Sequence, residues 1–169
     1  MKLVGIMATA LFVASAVAST GCPNEARNDS IRAANEGNKA LGQKQYETAI
    51  PALKKAVEKW SDNHTAWYSL GYAYGGKSDW TNAVDALAHA VQIMPEQAMY
   101  QLLYGNYLYE KARQGARDEQ ARRENKKPEE VTPDLTSVNF EKALQHLKEA
   151  VKLNNELWRT RRWIRPGNP

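Results

Sequence analysis

One unit of this sequence is written three times. Tyr46-x-x-Ala49-x-x-x-Leu53-x-x-Ala56-Val57 returns as Trp80-x-x-Ala83-x-x-x-Leu87-x-x-Ala90-Val91, and again as Phe140-x-x-Ala143-x-x-x-Leu147-x-x-Ala150-Val151. The first two copies lie 34 residues apart; the next step is 60, which is 34 plus a 26-residue insertion. Gly37, Gly71 and Gly105 stand upstream of the copies at two further steps of 34. A period of this length restricts the chain to an architecture of stacked repeats, because one unit cannot bury its own apolar face. Apolar anchors at spacings of three and four mark one face of a helix. Ala, Leu, Lys, Glu and Gln are plentiful and β-branched runs are few, which also favours helix. Each unit therefore reads as a helix pair. Small residues let the two backbones approach, and large ones fill the space between pairs.

Between the glycines stands Trp67-x-x-Leu70-Gly71-x-x-Tyr74, followed by Ala83, Leu87, Ala90 and Pro95. This set resembles the tetratricopeptide repeat family. Residues 64–97 fill nearly every signature slot. Residues 30–63 match through Gly37, Ala49, Leu53 and Ala56, with Glu36 and Ala40 where Leu and Tyr are usual. Residues 98–155 match through Gly105, Ala143, Leu147 and Ala150, with a charged insertion over about 111–136. The resemblance implies an all-α fold: a right-handed α-solenoid of three tetratricopeptide helix pairs. Residues 156–169 would add a C-terminal capping helix and tail, with Trp158 or Trp163 covering apolar surface and the nearby arginines facing out or meeting an anionic partner.

Local signals set the boundaries. Ser78 or Asp79 can cap the helix that starts at Trp80, Pro95 ends it, and Gly75-Gly76 makes the preceding turn. Pro51 falls inside a helix and predicts a bend there. The insertion, Glu110 to Asp134, holds seven basic and seven acidic residues. It reads as a solvated extension of the first helix of the third pair to about Asn125, with Arg113 and Arg117 facing Asp118 and Glu119, then a loop through Pro128 and Pro133. The alternative is a docking arm.

Upstream of the repeats, Lys2 precedes a charge-free run, Leu3 to Val17, and then small residues. That is a secretory signal layout, too short for a comfortable membrane span. Residues 1–21 are expected to be a signal peptide and residues 22–29 a polar tether. Ser19-Thr20-Gly21-Cys22 resembles the bacterial lipoprotein box: Gly21 and Cys22 match, and Ser19 departs from the usual Leu or Val. Cys22 is the only cysteine and sits where a lipidated residue would lie. The competing reading is cleavage after Ala18, at Ala16-Val17-Ala18, leaving Cys22 a bare thiol. Either way the chain is expected to be exported, and the lipid would hold it to an inner or outer membrane of the cell envelope.

Other chemistry is sparse. One cysteine excludes a disulfide framework and a Cys-rich zinc site. His64, His89 and His146 lack metal-ligand spacing. No phosphate-cradling loop or Gly-x-Ser-x-Gly elbow appears. The net charge of +4 gives no reason to expect nucleic acid. The expectation is a protein without enzymatic activity or cofactor that binds another protein.

In the resembling family the first helix of each pair lines a concave face. Here that implies Asn38 and Leu41, then Tyr68 and Tyr72, then Met99, Leu102, Asn106 and Tyr109. Trp67, Leu70 and Tyr74 would point the other way, into the stack. Such a groove suits an extended peptide or a partner helix, unless the chain's own residues 156–164 cover it. Repeats of this family that grip a chaperone's C-terminal carboxylate use Lys and Arg in slots occupied here by Ala34, Met99 and Leu103, so that activity is not expected. The reading is a scaffold or assembly factor of the bacterial envelope. Alternatives are a soluble periplasmic or secreted binding subunit and a regulatory subunit of an envelope enzyme.

Overall fold

The computed structural model describes the backbone of residues 23–163 and the side chains of residues 24–155. The apolar leader and Cys22, with its expected lipid, lie outside the described residues, as do the side chains of Trp158 and Trp163. Six α-helices follow one another: α1 Pro23–Gly42, α2 Tyr46–Lys59, α3 His64–Gly76, α4 Trp80–Ile93, α5 Ala98–Glu124 and α6 Glu141–Trp163. A short 3₁₀ turn, Pro128–Glu130, lies between α5 and α6. The fold is all-α among the described residues. Helices pair as α1 with α2, α3 with α4 and α5 with α6, and the pairs stack in chain order through α2 on α3 and α4 on α5.

The repeated small residues set the spacing inside each pair. A Cβ on Gly37 would lie 2.5 Å from Leu53 Cγ; on Gly71, 2.6 Å from Leu87 Cγ; on Gly105, 2.8 Å from Leu147 Cγ. Leu53, Leu87, Ala49, Ala56, Ala83 and Ala90 are fully enclosed. The glycines thus let the first helix settle onto the leucine of its partner. Between pairs, Leu70 enters a core with Ala49, Leu53 and Val57, and Trp67 and Tyr74 pack against its edge.

Several boundaries differ from those expected. The polar stretch after Cys22 is the start of α1, not a tether. Pro23 suits a first helical position because its missing N–H would have no partner there. Glu25 lies in the first turn, and the Arg27 guanidinium sits 5.0 Å over the Trp60 ring. Beyond Asn154-Asn155 there is no separate capping helix, since α6 runs on to Trp163. α2 is also continuous across Pro51, and the carbonyl deprived of its partner belongs to Glu47, in the first turn.

Gly75 and Gly76 are the last residues of α3 and do not form the turn. The left-handed residue there is Ser78, φ 58°, and Lys44 occupies the same place one repeat earlier, φ 57°. The glycines are needed for contact instead. A Cβ on Gly75 would collide with the Tyr107 ring, and one on Gly76 with the Tyr46 ring. Of the two cap candidates before Trp80, Asp79 is the cap, and its carboxylate accepts from the Asn82 N–H at 3.2 Å.

α5 extends as a charged helix and ends at Asn125 in left-handed conformation, φ 51°. Its ion pairs are Arg113–Glu110, Arg122–Glu119 and Arg123–Glu119, in place of the expected Arg113 and Arg117 pairings. Glu110 lies one turn before Arg113 and Glu119 one turn before Arg122 and Arg123, which is the spacing at which helical side chains meet. The following segment folds back: the Asp134 N–H donates to Gln120 Oε1 at 2.9 Å, and Ala121 and Val131 are buried.

Candidate functional site

Four positions on the first helix of each repeat share one face by helical spacing. They are Ile31, Ala34, Asn38 and Leu41 in α1; Thr65, Tyr68, Tyr72 and Gly75 in α3; Met99, Leu102, Asn106 and Tyr109 in α5. None is charged, although charged residues make up 25% of the chain. Tyr72, Met99, Leu102 and Tyr109 are exposed apolar side chains, joined by Ile31. Asn38 and Asn106 are also exposed. Leu41 is half-buried against the first core. Tyr68 is half-buried too, stacked on Tyr100 with ring centroids 4.8 Å apart, so its ring forms a wall and not a projecting finger.

The structure adds Tyr107 and Tyr46 to this region. Burial pushes the Tyr107 phenol up to about 12, and Tyr72, Tyr68 and Tyr46 beside it add to the shift. Tyr107 reaches that position because Gly75 leaves room for its ring, and it also meets Trp80 at 5.4 Å. Sequence spacing points from Met99 back to Ile31 by two repeat steps. No spacing rule reaches Tyr107, and the repeat spacing that marks Tyr46 as an anchor does not place it here; the signal for both is a large residue matched to a glycine in another helix.

Trp67, Leu70 and Tyr74 lie on the opposite side, as expected. They line a cleft of about 330 Å³ between α2 and α4. The Trp67 indole stacks on His89 at 4.2 Å and donates to the Ser61 carbonyl at 2.7 Å. The Lys54 ammonium lies 5.9 Å over Tyr74.

The other two histidines also serve packing. His64 Nδ1 shares a hydrogen bond of 2.8 Å with the Tyr100 hydroxyl. His146 Nδ1–H donates to Gln101 Oε1 at 2.7 Å, and the Gln101 amide donates to the Pro95 carbonyl at 2.8 Å. Burial first, and the Lys142 charge second, hold the His146 imidazole below its usual pKa. Among the described residues no three His, Cys, Asp or Glu side chains converge as metal ligands. No described helix is long and apolar enough to cross a membrane.

The tetratricopeptide repeat family model matches residues 35–98, the span that carries the fullest copies of the unit. Over these residues the chain is built of tetratricopeptide repeats. The zebrafish (Danio rerio) intraflagellar transport protein 70A is 34% identical over 71 residues, 42% of this chain and 11% of that protein. Among solved structures, a MamA RS-1 double mutant superposes with a TM-score of 0.56 at 22% identity, over 77% of this chain and 58% of that one. MamA from Desulfovibrio magneticus RS-1, from residue 41 to its end, gives 0.54 at 22% identity, over 76% and 58%. At these identities the likeness extends to the fold alone. The chain spans about a tenth of the curated relative and under two thirds of these structures. Its repeats carry the fold of a protein–protein interaction module, and the exposed, uncharged face of α1, α3 and α5 is the candidate site.

Proposed function

We propose that this protein is a non-catalytic scaffold of the bacterial cell envelope that holds an uncharged segment of a partner protein in its concave groove. One observation carries the reading. The first helices α1, α3 and α5 expose Tyr72, Met99, Leu102 and Tyr109 together with Asn38 and Asn106 at one repeat register, and none of them bears a charge. Exposed aromatic and aliphatic side chains in one concavity recognise apolar side chains, and asparagine amides pair with the backbone of an extended peptide. Tyrosine adds contact area at little cost in side-chain freedom.

A photo-crosslinking residue at Asn106 in the native host should capture a defined partner band. The same chain with Tyr72→Ala and Leu102→Ala should lose that band while keeping its helical spectrum. A band of equal strength in both chains refutes the groove as the site.

The membrane part of the proposal rests on Gly21-Cys22 after the apolar leader. Wild type should fractionate with membranes and carry acyl mass on Cys22, and Cys22→Ala should not. Equal processed mass and equal solubility would instead favour the soluble exported form, cut after Ala18.

A further inference from the structure

The two ends of the stack present different surfaces. α1 turns Asn28, Arg32, Asn35, Glu36 and Lys39 to solvent around the single apolar Ile31, a mainly polar face. α6 turns out Leu144 and Val151, which are 52% and 59% exposed. Their counterparts in the earlier repeats are covered. In α2 these are Ile50 and Val57, packed in one core with Trp67, Leu70 and Tyr74 of α3. In α4 they are Val84 and Val91, packed with Tyr104 and Leu108 of α5. The central leucine of each unit follows suit: Leu53 and Leu87 are fully enclosed and Leu147 only half-buried. Thus α6 repeats the stacking face of α2 and α4, and among the described residues no first helix is seated on it.

The likeness to α2 includes its charge. Ile50-x-x-x-Lys54-x-x-Val57 corresponds to Leu144-x-x-x-Lys148-x-x-Val151. In the first case the occupant is visible. α3 lays Trp67, Leu70 and Tyr74 on the face, a stripe at i, i+3 and i+7, and Lys54 rides over the Tyr74 ring. We propose that the outer face of α6 docks an amphipathic helix of a partner protein bearing an aromatic–leucine–aromatic stripe of this kind. Lys148 then covers the last aromatic ring as Lys54 covers Tyr74. Exposed Glu141, Gln145 and Lys152 form the polar rim such an interface needs. This surface is separate from the concave groove and does not depend on it.

The probe is a fluorescein-labelled peptide of residues 61–79, held helical by a lactam bridge replacing Tyr68 and Tyr72. That bridge lies off the stripe and removes the groove tyrosines from the probe. Fluorescence anisotropy against the full processed chain should show saturable binding. Leu144→Glu with Val151→Glu should cut affinity at least tenfold, Lys148→Gln about two- to fivefold, and Leu70→Ala in the peptide at least tenfold. Tyr72→Ala in the receptor should change nothing. Circular dichroism checks that the exposed-site variants keep their fold. Three results overturn the proposal: no saturable binding, equal binding by the Leu144/Val151 variant, or loss of binding in Tyr72→Ala. A dimer in sedimentation that this same double variant dissolves, with no peptide binding, also overturns it, because a second copy is then the occupant.

Discussion

Replacing Gly71 with alanine should destabilise the wild-type chain and stabilise a chain whose Leu87 has been cut to alanine. The added Cβ lies 2.6 Å from Leu87 Cγ and 3.1 Å from the Ala83 carbonyl oxygen. Leu87 is fully enclosed, so its branch point cannot swing away. Overpacking of this kind costs about 1–3 kcal/mol. Alanine in a helix interior regains about 0.5–1 kcal/mol over glycine. The single change should therefore cost about 1–2 kcal/mol. Leu87→Ala alone should cost about 2–5 kcal/mol through lost burial and cavity. In that background the clashing Cγ is gone; the 3.1 Å approach to the Ala83 carbonyl remains and takes back part of the helix-propensity gain, which is at most about 0.5–1 kcal/mol. The cycle should show a coupling of about 2 kcal/mol, measured by urea unfolding followed by far-ultraviolet circular dichroism. Gly105→Ala is the internal control. Its contact with Leu147 is looser at 2.8 Å, and Leu147 is only half-buried, so the cost should be smaller. An additive cycle would refute the idea that the leucine sets the helix spacing.

Further outcomes follow from polar contacts. Asn63 caps α3 by accepting from the Ala66 N–H at 3.0 Å and donates to the fully buried Ser30 hydroxyl at 2.8 Å. Asn63→Ala should cost about 2–3 kcal/mol in urea unfolding, from the lost cap and the stranded hydroxyl, and less in a Ser30→Ala background. His146 has a lowered pKa, so the unfolded chain takes up its proton first, and stability should fall as pH drops below about 6.5. His146→Gln should flatten that part of the profile in thermal melts. The Tyr107 phenol, raised to about 12, keeps its proton longer in the folded chain. Its contribution is present below pH about 10 and lost as pH rises toward the folded value. Burial also raises Tyr68 and Tyr100, so ultraviolet difference titration should show several late-ionising tyrosines, of which Tyr107→Phe removes the last.

The stack was readable because a repeat reports the same packing problem several times. Gly37, Gly71 and Gly105 each face a leucine in the partner helix, and sequence and structure agree there. Punctuation was less readable where one residue can serve two ends. Gly75-Gly76 has the composition of a turn, yet two tyrosines from other helices need the space, and Ser78 takes the strained conformation. The polar start of α1 lacks an apolar period, and the Arg27–Trp60 contact that extends the helix is long-range. Likewise Asn154-Asn155 lowers helix propensity without stopping a helix already under way in α6. On the first helices, Tyr72, Met99, Leu102 and Tyr109 were legible from the family resemblance together with helical register. The stacking of Tyr68 on Tyr100 and the arrival of Tyr107 were not, since both depend on the angle between pairs.

The uncharged face of the first helices, as the proposed binding surface, has a kinetic consequence. A binding surface without charge has no field of its own to draw a partner in or turn it on approach. Encounters then succeed at the unsteered rate, roughly 10⁵–10⁷ M⁻¹s⁻¹, and change little with ionic strength. Under the proposed function, selection among partners would fall to dissociation: the right segment would be the one that stays, held by how well Tyr72, Met99, Leu102 and Tyr109 enclose it.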